Sequence, residues 1–198
     1  MSRRLAACLA AAALPLSADA APENYVIDPY HTYPYFEVEH VGMSWVRGRF
    51  EKTTGKFTLD AAAKAGTVEL TIPTATISTG DNERGERARA RDEHLRTPDF
   101  FNAVEFPAIT FRGSATKWNG DAPAEIQGQL TLLGVTKPLT LTVLNWKCGP
   151  DPRTQGKRYM CGANATGSFK RSDFGMKFGI PAVSDEVRLW VGLEGFRQ

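Results

Sequence analysis

The stretch that decides the fold runs from Gly128 to Leu144, GQLTLLGVTKPLTLTVL. Leu130 and Leu132 alternate with Thr131, and Leu139, Leu141 and Val143 alternate with Thr140 and Thr142. Successive side chains leave a strand on opposite faces, so period-two alternation marks a half-buried strand. β-Branched threonine and valine suit such a pleated, half-wet surface. Gly134 and Pro138 between the runs predict a turn, and hence a hairpin with one apolar and one hydroxyl-bearing face. What the apolar face covers, packed side chains or a ligand, is the question for the rest of the chain.

Working outward, the alternation recurs. In 34–41, Phe36, Val38 and His40 share one parity against Tyr35, Glu37 and Glu39. Segments 45–50, 55–59, 68–72, 108–112, 159–169 and 187–193 also read as strands, 68–72 and 187–193 with clean alternation and 159–169 small and glycine-rich. About eight short strands joined by turns predict an all-β sandwich or barrel. A barrel of eight strands has a lumen that either fills with side chains or holds one small ligand.

Residues 79–102 break the pattern. Thr79 or Asp81 can cap a helix, and 82–95 holds no β-branched residue, so a helix is expected there. Arg84, Arg87, Arg89, Arg91 and Arg96 stand against Asp81, Glu83, Glu86, Asp92 and Glu93, the balance of a solvated, ion-paired face. Only Ala88, Ala90 and Leu95 are apolar, so this helical excursion over about 80–102 reads as a surface element or a lid. Thr97-Pro98-Asp99 then turns the chain and presents Phe100 and Phe101.

The N-terminus reads as an export signal. Arg3 and Arg4 precede a short apolar run, Leu5 to Leu16, and Ala18-Asp19-Ala20 is a small-x-small cleavage site, placing the mature start at Ala21. The run is too short for a membrane span. Too little of it precedes Cys8 for a lipoprotein box. Without Arg3, Arg4 and Asp19, the mature chain carries 22 basic and 21 acidic residues. That balance offers no electrostatic case for nucleic acid. One domain, 21–198, is expected, with no linker or repeat. Cys148 and Cys161 remain as a pair flanking a turn-rich loop, and in an oxidising compartment they should form a disulfide across a hairpin neck. With no histidine or further cysteine nearby, a metal site is not expected.

Catalytic signatures are absent. His31, His40 and His94 share no ligand spacing, and neither a GxSxG nor an HExxH occurs. His40 has the parity of Phe36 and Val38 and reads as a core or rim histidine. Lys170-Arg171-Ser172-Asp173-Phe174-Gly175 reads as a loop stapled by an Arg171/Asp173 ion pair, or as a polar clamp at a barrel mouth. Strand parity puts Phe36, Val38, Phe50, Phe57, Leu70 and Phe111 on one inward surface, with Leu130, Leu132, Leu141, Leu189 and Val191. Gly128, Gly162, Ala163, Ala165 and Gly167 are small, and small inward residues on one wall would leave room for a ligand. Phe100 and Phe101 are expected near the mouth.

Four stretches in order carry a family resemblance spanning nearly the whole mature chain. They are Tyr25-Val26-Ile27-Asp28 with His31 and Phe36…His40…Gly42…Ser44…Gly48…Phe50; His94-Leu95…Asp99-Phe100-Phe101 with Phe106-Pro107…Ile109-Thr110-Phe111; Gly128…Leu130-Thr131…Gly134-Val135-Thr136-Lys137-Pro138; and Arg171-Ser172-Asp173-Phe174-Gly175 with Val183…Asp185-Glu186-Val187. In these the chain resembles the YceI-like family of exported lipid-binding proteins. Tyr33-Pro34 and the Cys148/Cys161 pair depart from the family pattern. The resemblance implies an extended antiparallel β-barrel of lipocalin-like architecture. It further implies a periplasmic binding or carrier protein for a polyisoprenoid lipid or isoprenoid quinone, with that lipid as ligand and no cofactor. Two other functions stay open: a small lipid-modifying enzyme using His40 or His94 as base, and an accessory of a membrane redox partner that docks through 82–95.

Overall fold

The hairpin at the centre of the sequence reading is formed by β8 (Ala122–Leu132) and β9 (Val135–Pro150). The computed structural model describes residues 21–198; the expected export signal, 1–20, lies outside the described residues. Leu132 faces Val135 in register, so the turn is the two residues Leu133 and Gly134, both at positive φ (51° and 72°). Such a turn matches the right-handed twist of the strands it joins. Pro138 is therefore not part of the turn: it sits inside β9, opposite Gln129. Its missing N–H costs no ladder bond on the other side, because the β9–β10 register ends at Thr142 and Thr166. On the outer face, the Thr131 and Thr136 hydroxyls bond across the hairpin at 2.8 Å.

The other strands extend this sheet in a meander. They are β1 (Glu23–Ile27), β2 (Tyr33–His40), β3 (Ser44–Phe50), β4 (Thr54–Asp60), β5 (Ala65–Pro73), β6 (Ile77–Ser78), β7 (Ala108–Asn119), β10 (Tyr159–Lys170) and β11 (Glu186–Arg197). Three of the barrel's staves are broken by a bend, as β1–β2, β3–β4 and β5–β6. β1 pairs with β4 while β2 pairs with β3, and β4 pairs with β5 while β3 pairs with β6. Counted as staves there are eight, all antiparallel. The barrel closes where β11 meets β2 through Arg188–Gly192 and β1 through Gly195–Arg197. The expected all-β barrel of eight antiparallel strands is the observed fold.

Inside, bulky rings lie over glycines. A Cβ on Gly48 would fall 2.4 Å from the Phe36 ring, one on Gly128 2.6 Å from Phe111, and one on Gly195 2.5 Å from Phe57. At these three positions a phenylalanine fills the room that the glycine leaves. Phe36 and Phe111 each cover a glycine of the neighbouring strand, a pairing that supports the strong bending of a small barrel, whereas Phe57 reaches past β1 to Gly195. At the end where β1 begins and β11 stops, Tyr25 stacks on Phe57 at 4.5 Å, and the Cys148–Cys161 disulfide joins β9 to β10.

The expected helix over 82–95 is corrected. Only α1 (Arg91–Leu95) is helical. Gly85 adopts φ +56°, and the Arg87 guanidinium turns back onto the Asp81 carboxylate (2.6 and 2.7 Å) and the Glu83 carbonyl (2.6 Å). Those local bonds hold 81–90 as an irregular loop. The short helix is tied down instead by its neighbours. The buried Asp92 carboxylate accepts the Thr79 amide (2.8 Å) and hydroxyl, and Arg96 donates to the Ala75 and Ile77 carbonyls at 2.9 Å.

Candidate ligand-binding site

Because the staves alternate inward and outward, their apolar parity converges on the lumen. In the upper half, a cavity of about 500 Å³ opens among the β2–β3 turn, α1 and the loop between β10 and β11. Its walls carry Phe36, Val38 and Phe50 from β2 and β3, Leu70 and Phe111 from β5 and β7, and Leu130, Leu132 and Leu141 from β8 and β9; Leu189 and Val191 complete them from β11. Phe100 and Phe101 line it too, and Phe101 packs edge-on against Phe50 at 5.6 Å. His40 lines the rim at the exposed end of β2.

Phe57, Ala163 and Ala165 are not on this cavity. They face inward, as their parity requires, but one layer further from the mouth, around a separate void of about 60 Å³. Gly162 lines neither space, since it has the outward parity of β10. Alternation reports which face a residue occupies but not its height along the barrel. That height depends on register and shear, which the sequence does not display.

Polar groups on the cavity wall are few and stand at the mouth: His40, Ser44, Arg91, His94 and Arg171. His94 Nε2 lies 2.7 Å from Asp99 Oδ2, and its ring is wedged edge-on between Phe100 (5.0 Å) and Phe178 (5.2 Å). Arg91 donates to the Thr79 hydroxyl at 2.8 Å.

Arg171 is 2% exposed, and it is not stapled to Asp173. Its guanidinium donates to four carbonyls: Ser184 (2.8 Å), Phe178 (2.9 Å), Val183 (2.9 Å) and Met176 (3.3 Å). Burial lowers its pKa from the usual arginine value. Arg171 thus gathers the loop 176–184 around one planar donor fork, a task lysine's point charge cannot perform. Beside it, Asp185 accepts the Ser172 amide at 2.8 Å and hydroxyl at 2.7 Å. The loop is pinned to the end of β2, where the Glu39 carbonyl accepts the Ser184 amide at 2.9 Å and the Ala182 carbonyl accepts the Val41 amide at 2.6 Å, and it brings Met176, Phe178 and Val183 to the cavity. Those three residues were missed in the sequence. They belong to no alternating run, and of the three only Val183 stands among the residues that carry the family resemblance.

Among the described residues, Asp28, His31 and Glu194 form one acidic cluster able to approach an ion. It lies at the β1–β2 bend beside β11, and Arg153 already faces it, 3.6 Å from Glu194 and 3.4 Å from His31.

Comparison with known proteins follows from this geometry. The YceI-like domain matches residues 25–194. A UPF0312 protein of Pseudomonas aeruginosa is 37% identical over 201 aligned residues, all of both chains. Protein YceI of Escherichia coli is 38% identical over 182 residues, 90% of each. Among solved structures, the YCEI protein of Campylobacter jejuni has a TM-score of 0.63 at 26% identity, covering 81% of this chain and 90% of that one. BcnA of Burkholderia cenocepacia has a TM-score of 0.66 at 22% identity, covering 85% and 98%. A polyisoprenoid binding domain of Saccharophagus degradans has 0.58 at 16%, covering 88% and 98%. The last two share the fold. Matched along nearly its whole described length, and carrying the same barrel, this chain belongs to the YceI-like domain family.

Proposed function

We propose that the chain is an exported, periplasmic binding or carrier protein for a long apolar lipid, a polyisoprenoid or an isoprenoid quinone. The observation that carries this reading is the upper cavity: about 500 Å³, walled by aliphatic and aromatic side chains, with its polar groups confined to the mouth. That volume falls in the range of small-molecule sites, roughly 300–1,000 Å³. The distribution suits an amphiphile whose chain enters and whose head stays outside. Each methylene taken from water contributes about 0.8 kcal/mol, so about ten supply roughly 8 kcal/mol before association costs. Such a ligand needs few polar anchors, and few are present. The structural likeness to a polyisoprenoid binding domain supports the same reading.

Native mass spectrometry of protein purified from its own host, followed by organic extraction, tests it. A stoichiometric adduct that releases a prenyl lipid is the expected result. Recovery of only apo protein that also fails to load with any prenyl lipid would end the proposal.

One observation favours a second reading. The His94–Asp99 contact beside the cavity is the arrangement of an oriented base. His94→Gln separates the two. Binding requires only that the position be filled, so lipid occupancy should stay within a few fold of the parent. Turnover of a bound lipid by the parent, abolished in this variant, would make the protein an enzyme.

A further inference from the structure

The two internal spaces share a boundary. Leu70, Phe111, Leu141 and Val191 line both the upper cavity and the void beneath it. Along each strand, the next inward residue away from the mouth faces the lower space or its edge, as with Val68 after Leu70, Val143 after Leu141 and Leu193 after Val191. The lower space is therefore the continuation of the same lumen.

What separates them is two side chains lying over glycines. Phe111 covers the β7–β8 wall. A Cβ on Gly113 would fall 3.0 Å from its ring, and one on Gly128 2.6 Å. Gly113 and Gly128 face each other in register, so this layer of the wall has no other side chain. From β9, the stave beside β8, Leu141 leans over Gly167, where a Cβ would meet its Cδ2 at 2.9 Å. The closure is thus built from long side chains where glycines supply nothing to replace them. Beyond it, Phe57, Leu59, Ile126, Trp146, Ala163 and Ala165 make an apolar lining. An apolar void of this kind stays dry and receives hydrocarbon rather than water.

We propose that the lower void is the blind end of the ligand site, and that Phe111 with Leu141 forms the stop that sets the length of hydrocarbon chain accepted. The inference rests on the lipid-binding reading and adds a ruler to it. A chain long enough to touch the stop gains burial with every carbon. A longer one must leave carbons in water at the mouth, and affinity stops rising.

The test uses delipidated protein and a series of prenyl alcohols: geraniol, farnesol, geranylgeraniol and solanesol. Affinity is read from quenching of tryptophan fluorescence. In the parent, affinity should climb with length and then level off. Phe111→Ala opens the lower space, so levelling should move to a longer alcohol, with a gain of about tenfold for the first alcohol beyond the parent's limit. Leu141→Ala opens the same boundary from the adjoining stave and should act alike, which covers failure of either variant to fold. Adding Ala165→Phe to Phe111→Ala refills the blind end and should return the limit to the parent's. If the parent shows a limit that neither opening variant moves, the stop is elsewhere and this inference falls while the lipid-binding reading stands. If the parent binds no alcohol of any length, both fall together.

Discussion

Asp185 holds the mouth loop through Ser172, whose amide and hydroxyl both point at its carboxylate. Burial pushes its pKa up, but those two bonds, with Arg171 and Lys170 nearby, outweigh burial and leave it below the usual aspartate value. The native state therefore binds this proton less readily than the unfolded chain does. Its contribution to stability is complete above the unfolded value of about 3.9 and is lost as pH falls through the lower native value. Asp185→Asn should consequently flatten the decline in stability on acidification below about pH 4, as followed by denaturant unfolding at a series of pH values. An unchanged acid limb would show that other carboxylates govern it. Arg171 illustrates what a single residue can hide. In sequence it is one cation in Lys-Arg-Ser-Asp, and an ion pair with Asp173 is the natural reading. Only the folded loop brings four carbonyls from residues 176–184 within its reach.

Elements were legible to different depths. Strands announced themselves, because alternation is a local property: the faces of β8, β9 and β11 follow from Leu130, Leu141 and Leu189 alone. The excursion was misjudged because its helix was argued from what 82–95 lacks. Absence of β-branched residues permits a helix but does not stabilise one, and a segment with so little apolar surface has no packing to hold it. Arg87 and Gly85 then settled it as a loop. The β9–β10 element carries the disulfide in register, at the end of the barrel away from the cavity. Its cysteines lie 13 residues apart, and a loop near this size constrains the unfolded chain by about 3 kcal/mol in the chain-entropy model. Replacing both, Cys148→Ser with Cys161→Ser, should lower unfolding stability by about that much while lipid occupancy is kept. A loss of occupancy at retained stability would mean that the strand neck positions the cavity wall.

At the scale of the whole molecule, stave count and inward parity were readable, and the axial layering was not. Phe57, Ala163 and Ala165 face inward as their parity requires but stand one layer below the upper cavity, because the layer at which a side chain meets its neighbours is set jointly by every register in the barrel. Closure is also a property of the whole. β11 pairs with β10 along its length, with β2 at one end and with β1 at the other. Arg197 further binds Glu23, whose pKa is lowered by the Tyr25 hydroxyl and by Arg197 itself. Every other seam joins neighbours in the chain, so it can form while the chain is still incomplete.

The final strand thus completes three ladders in one step. A chain cut short before Glu186 would lose three ladders at once, leaving β10 and the β1–β2 stave as raw edges. Such a fragment should be digested throughout by a non-specific protease under conditions where the full chain is cut only at exposed loops. A resistant core in the fragment would show that the meander folds without its clasp. The arrangement makes enclosure of the lumen depend on the last strand to be synthesised, so a shortened chain would keep an open flank.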